Sequence, residues 1–170
     1  MRRGLVLVVM VISGVACTAP APSGSGAPTP TTAPAAPAPA GWEASMLQRI
    51  NAERATAGVG ALSACGTLRA AAVAHSADQA AHSSMSHTGS DGSTMVQRAE
   101  RAGYTGWMSL GENVAYGYGT VDAVMTAWMN SPGHRANLLN GSFTHVGLGQ
   151  AAAGNGTLYW TQDFGRSGRC

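Results

Sequence analysis

The order of segments along this chain predicts an α+β fold, with helices gathered first and an antiparallel sheet last. Two observations carry the prediction. Between Trp42 and His82 the apolar and alanine positions recur at helical spacing. Near the end, Thr144 to Gln150 and Thr157 to Phe164 read as two strands joined by Ala153-Gly154-Asn155-Gly156, a hairpin signal.

The chain opens Met-Arg-Arg, runs apolar from Leu5 to Ile12, then turns small at Ser13-Gly14-Val15-Ala16. A basic start, a short apolar stretch and a small-residue exit describe a secretory signal peptide over residues 1–16. The apolar run is short of the roughly 20 residues that span a bilayer, so a retained membrane helix is the weaker reading. Cys17 follows at once, and Val15-Ala16-Cys17 resembles the lipobox of bacterial lipoproteins, which implies lipidation of Cys17. Gly14 departs from that pattern, and plain secretion is the alternative. From Thr18 to Ala40 only Thr, Ala, Pro, Ser and Gly occur, and seven of the eight prolines lie there. With no large apolar side chain to bury, residues 17–40 read as a disordered, semi-extended tether. The folded domain is then 41–170.

Within it, Trp42 to Ala57 reads as a helix through Met46, Leu47, Ile50 and Ala57, ended by Gly58 and Gly60. Thr67 is the expected cap of a second, alanine-rich helix reaching His82, with Ala72, His75, Gln79 and His82 along one stripe. Those histidines read as polar core or boundary residues rather than ligands. Ser83 to Ser93 is turn-rich and carries His87 on a loop. Thr94 to Ala102 is a short helix ended by Gly103. Asn113 to Tyr116 is a short extended piece with Glu112 at its start. Thr120 to Met129 is helical, Asp122 suiting its first turn. Ser131-Pro132-Gly133 breaks that helix, and His134 to Leu139 restarts a turn.

Removing Arg2 and Arg3 with the leader leaves eight arginines against eight acidic residues, so the mature chain is formally neutral. There is no basic stripe, which disfavours nucleic acid as a partner. If Cys17 carries lipid, Cys65 and Cys170 remain and can pair in an oxidising compartment, two free thiols being the alternative. Such a bridge closes a long loop and contributes roughly 4 kcal/mol.

Three stretches carry the chemistry: Ser86-His87, Gly111-Glu112-Asn113 and Trp128-Met129-Asn130-Ser131-Pro132-Gly133-His134-Arg135. Together they suggest one polar cleft built from His87, Glu112 and His134. Two imidazoles and a carboxylate can hold zinc or another divalent ion, with Glu112 as third ligand or as acceptor for a bound water. They can act as a metal-free acid/base centre, or form a polar cleft that binds something else. No His-Glu-x-x-His or Gly-x-Ser-x-Gly is present. Gly147-x-Gly149-x-x-Ala152 mimics a dinucleotide fingerprint but is not followed by a helix. Asn140-Gly141-Ser142 and Asn155-Gly156-Thr157 are glycosylation triplets of little weight. Arg135 is expected to brace a loop through a carboxylate such as Asp163, facing an anionic ligand being the alternative. His145 stays outside the site.

The order of Ala74-His75-Ser76-Ala77-Asp78, Met85-Ser86-His87, Gly111-Glu112-Asn113-Val114-Ala115, Trp128 through Leu139, Phe143 through Gly149 and Trp160-Thr161-Gln162-Asp163-Phe164 resembles the bacterial form of the CAP superfamily, also called the SCP-like extracellular domain. The resemblance implies an α-β-α sandwich with a central antiparallel sheet and a cleft lined by two His and two acidic residues. His87, Glu112 and His134 match three of those positions. The fourth falls at Asn130-Ser131, which has no carboxylate. The expected function is an exported, lipid-anchored, monomeric binding module of the cell envelope, with the membrane as partner through Cys17 and an envelope ligand in the cleft. A metal-assisted hydrolase of peptide or wall polymer, or a lipid carrier, are the alternatives.

Overall fold

The computed structural model describes residues 41–170; the leader 1–16, the lipidation site Cys17 and the tether 17–40 lie outside the described residues. The elements run α1 (Trp42–Thr56), β1 (Ser63–Ala64), α2 (Gly66–His82), α3 (Met95–Arg101), β2 (Ser109–Tyr116), α4 (Val121–Asn130), α5 (Pro132–Leu138), β3 (His145–Ala152) and β4 (Leu158–Arg166). The strands form one sheet in the order β1-β3-β4-β2. β4 pairs antiparallel with both β2 and β3, and the two-residue β1 adds a parallel edge beside β3. α2 covers one face; α1, α4 and α5 cover the other. This is the expected α+β sandwich.

Two strands differ from expectation. β1 escapes a periodicity reading because two residues carry no period. β2 begins at Ser109, ahead of the expected short piece, so Glu112 sits mid-strand rather than at a strand start. Gly111 hides this alternation, since it has no side chain to show a face.

The helix caps follow their chemistry. Thr94 accepts from the backbone N–H of Gln97, whose side chain reaches back to close a capping box on α3. Thr120 accepts from Ala123 N–H at the start of α4. Pro132 opens α5, where its missing N–H costs nothing. α2 departs: it starts at Gly66 with Cys65 as N-cap, and the Thr67 hydroxyl donates to Arg169 O instead. The reason lies in Cys65, which is disulfide-bonded to Cys170, 105 residues on, so the chain terminus lies against the start of α2.

Gly147 and Gly149 explain how closely α2 lies on the sheet. A Cβ at Gly147 would fall 2.1 Å from the Leu68 carbonyl carbon, and one at Gly149 2.1 Å from the Ala72 carbonyl oxygen. The apparent dinucleotide fingerprint is thus a seat for an alanine-rich helix. Ser76 and Gln79 complete the seat by hydrogen-bonding Thr161 Oγ1 at 2.9 and 3.2 Å.

On the opposite face Met46, Ile50, Val124, Met125, Trp128 and Leu138 pack over Val146, Leu148, Trp160 and Phe164, forming the main apolar core. Arg54 of α1 is buried beside them without a carboxylate. Its guanidinium donates to the carbonyls of Gly60, Leu138, Asn140 and Phe143, stitching α1 to the turn after α5.

β2 lies at the sheet edge, where unpaired carbonyls need partners. Trp128 Nε1 donates to Val114 O at 3.4 Å and Asn137 Nδ2 donates to Glu112 O at 3.1 Å. α4 and α5 therefore cap the outer edge of the strand that carries Glu112.

Candidate functional site

Glu112 points to the α2/α3 side of β2 and is buried. Its two oxygens have separate partners. His87 Nδ1–H donates to Oε1 at 2.7 Å, and Arg98 Nη2–H donates to Oε2 at 2.5 Å. His75 Nε2 lies 3.8 Å from Oε2. Burial alone pushes the Glu112 carboxyl upward. The hydrogen bond from His87 and the Arg98 charge outweigh it and hold the group below the ordinary carboxylate range.

Across the ladder from Glu112 stands Asp163, also buried. Burial, then the negative charge of Glu112, hold its carboxyl well above the usual range. Of the two, Asp163 therefore holds its proton the more tightly and Glu112 gives its proton up the more readily, since neighbouring buried carboxylates oppose each other's ionisation.

The loop bearing His87 is fixed from behind. His75 Nε2–H donates to Ser86 O at 2.8 Å, and Ser86 N–H donates to Gln79 Oε1 at 3.3 Å. Burial lowers the His75 pKa, so this ring acts as a neutral donor. Arg98 Nη1 donates to the carbonyls of His87 at 3.2 Å and Ser93 at 2.9 Å. One guanidinium thus joins α3, the His87 loop and β2. The His87 side chain itself is 59% exposed, against 3% for Glu112.

His134 comes from α5. Its backbone carbonyl accepts from Asn113 Nδ2 at 3.2 Å, which ties α5 to the residue beside Glu112. Its ring lies against Ser131, Nδ1 to Oγ at 2.9 Å. Burial first, then the nearby charge of His87, lower its pKa. The structure therefore joins His87 and Glu112 by contact and leaves His134 within electrostatic reach of His87, with its ring hydrogen-bonded elsewhere.

The three residues named for zinc do not fit it as a three-ligand set. Both Glu112 oxygens are engaged, and a guanidinium rather than a metal answers the carboxylate charge. Among the described residues no group of three His, Cys, Asp or Glu is placed to hold a metal ion. In this geometry Glu112 stands behind His87 as the acceptor that fixes its ring.

Arg135 is exposed, and Asp163 is buried beside Glu112, so the expected brace between them does not form. His145 lies away from the cleft: Gly168 N–H donates to the Tyr104 hydroxyl, which donates to His145 Nδ1 at 3.0 Å. His82 is exposed and faces Asp78 at 3.2 Å. Sequence reasoning missed Arg98 and the role of Asp163. Arg98 lies on a short helix whose spacing gives no sign that one arginine turns inward. Asp163 stood in the sequence within Gln162-Asp163-Phe164 and as an expected partner of Arg135, and neither reading pointed to Glu112.

Residues 47–164 match the model of the CAP family, described as the cysteine-rich secretory protein family, and the chain belongs to it. It is 35% identical over 123 residues to the uncharacterized protein YkwD of Bacillus subtilis, covering 72% of this chain and 46% of that one. It resembles the solved structure of an extracellular protein containing a SCP domain from Bacillus anthracis, with a TM-score of 0.66 and 29% identity over 73% of this chain and 40% of the other. An outer surface protein from Borrelia burgdorferi shares the fold, with a TM-score of 0.66 and 21% identity over 73% of this chain and 91% of that one. The chain spans about half the length of YkwD or less than half of the anthracis protein, so both extend well beyond the shared domain.

Proposed function

We propose that this chain is an exported cell-envelope protein, lipid-anchored at Cys17 and monomeric, whose CAP domain is a binding module acting through the cleft at His87. Export is supported by the leader pattern and by the likeness to an extracellular protein of Bacillus anthracis. Retention at the envelope is assigned to lipid on the Val15-Ala16-Cys17 pattern; among the described residues no helix is long and apolar enough to cross a membrane. The observation that carries the binding reading is the division of labour in the His87–Glu112–Arg98 chain: the imidazole is presented outward while the carboxylate is sealed behind it. A hydrolytic base must be free to take a proton from water. Glu112 is ion-paired and hydrogen-bonded on both oxygens, which favours recognition over turnover.

The test is co-sedimentation of the full chain with isolated cell envelopes, wild type beside His87→Ala, together with an assay for release of soluble wall fragments. Expected is at least a tenfold loss of binding in the variant and no fragment release by either protein. Equal binding by the variant, or fragment release that His87→Ala abolishes, rejects the reading, and the second result establishes the hydrolase. Mass spectrometry of the native N-terminus tests the anchor, an unmodified chain retaining Cys17 excluding it.

A second reading, a divalent ion on the imidazoles of His87 and His134, is favoured by one observation. The Glu112 bond to Nδ1 leaves Nε2 of His87 bare, the arrangement that orients metal-binding histidines. Metal analysis of wild type, His87→Ala and His134→Ala decides it; equal zinc in all three excludes it.

A further inference from the structure

Asn-Gly stands twice in the chain, at Asn140-Gly141 and Asn155-Gly156. Glycine puts no side chain in the way of its own backbone nitrogen. Once base removes its hydrogen, that nitrogen can attack the Cγ of the preceding asparagine. The N–Cγ bond forms, the Cγ–Nδ2 bond breaks, and ammonia leaves behind a cyclic imide. Water then opens the ring, its hydroxyl going to carbon and its hydrogen to nitrogen. Breaking N–Cγ gives aspartate. Breaking the bond from nitrogen to the main-chain carbonyl gives isoaspartate, and that carbonyl becomes a carboxylate.

The two sites present the same electrophile. Ser142 N–H donates to Asn140 Oδ1 at 2.9 Å, and Thr157 N–H donates to Asn155 Oδ1 at 3.0 Å. Each bond puts a donor on the oxygen that gains charge during attack. The sites differ at the nucleophile. Gly156 N–H is held inside the hairpin turn, donating to Ala153 O at 2.8 Å. Gly141 is exposed, and its N–H has no partner among the described residues.

The main-chain carbonyl of Asn140 is also marked out. It accepts from Arg54 Nη1 at 3.0 Å and from Phe143 N–H at 3.2 Å. Arg54 is buried, and among the described residues it faces no carboxylate.

We propose that Asn140 is a self-modification site, with water as its co-reactant, and that the folded chain directs it to isoaspartate. The two donors on the main-chain oxygen draw electrons from the carbon that water attacks for that product. The new carboxylate keeps that oxygen, so the buried Arg54 gains a charge-assisted bond where it had a neutral one. Asn155 carries the same dipeptide and is the internal control.

The experiment incubates the full chain for days at mildly alkaline pH, folded and, in parallel, unfolded in guanidinium. Both samples are digested and read by electron-transfer mass spectrometry, which separates isoaspartate from aspartate. The ratio of the two rates in the unfolded chain is the reference. Relative to it, folding should slow Asn155 against Asn140 by roughly tenfold, the upper end of what one backbone hydrogen bond is worth. The isoaspartate share at position 140 should be higher in the folded sample than in the unfolded one. A folded-chain ratio equal to the reference, or shifted toward Asn155, overturns the proposal. So does an isoaspartate share at 140 that folding leaves unchanged or lowers.

Discussion

Arg98 and Glu112 form an ion pair inside the domain, Nη2 standing 2.5 Å from Oε2 with both side chains buried. Glu112 also holds His87, whose imidazole is exposed beyond the carboxylate. A buried pair of this kind is weak evidence of net stability, but breaking it strands a charge.

Arg98→Met is therefore expected to destabilise the protein by about 3–5 kcal/mol, because it leaves Glu112 ionised and buried. Glu112→Gln should cost a comparable amount by stranding Arg98. The double variant should cost less than the two separate losses combined, by about 1 kcal/mol or more, as residues in one network do. Urea denaturation of the four proteins measures this, and strict additivity would show that the pair does not couple.

Asp163 and Glu112 set opposite pH limbs. Glu112 has its pKa lowered on folding, so its contribution is present above the unfolded carboxylate value and is lost as pH falls through the folded one. Asp163 has its pKa raised, so its contribution is full below the unfolded value and declines as pH rises through the folded one. Asp163→Asn keeps a neutral hydrogen-bonding group and removes the second limb. Its stability relative to wild type should improve between about pH 4 and pH 7 by roughly 1 kcal/mol or more. Thermal melts across that window check it, and a constant offset between the two proteins counts against a protonated Asp163.

Gly149→Ala should destabilise the domain by about 1–3 kcal/mol, the usual cost of overpacking, since the added methyl meets the Ala72 backbone rather than a mobile side chain. Gly154→Ala, in the β3–β4 turn with open space around it, is the control expected to change little. Chemical denaturation of both compares them directly.

Reduction of Cys65–Cys170, or replacement of both cysteines by serine, should lower stability by about 4 kcal/mol through the loop it closes. The terminal segment also releases Arg169, whose backbone bonds Thr67 and Thr105. Hydrogen exchange at Arg169 and at the first turn of α2 should rise together; protection that persists in the reduced protein would show that packing alone holds the terminus.

Much of the fold was legible because it rests on local rules. Thr94 and Thr120 start helices, the Gly154-Asn155 turn joins two strands, and Met46, Ile50, Val124 and Trp128 fall on inward faces. The alanine stripe of α2 was visible too, although its purpose appeared only when Gly147 and Gly149 were found beneath it. Arg54 shows the limit. Set among Arg49 and Glu53 it reads as one more polar helix residue, yet it is buried and bonded to the nearby Gly60 carbonyl and to three carbonyls from a distant segment.

The chain by itself determined the family, the order of elements, the residues His87, Glu112 and His134, and the two cysteines able to pair, since each of these is written in residue type and spacing. Only the tertiary structure decided who answers the charge of Glu112, which of two facing carboxyls holds its proton more tightly, and that His134 turns to Ser131. Those outcomes depend on burial and on distances of a few ångströms between elements far apart in sequence, and one-dimensional spacing carries neither.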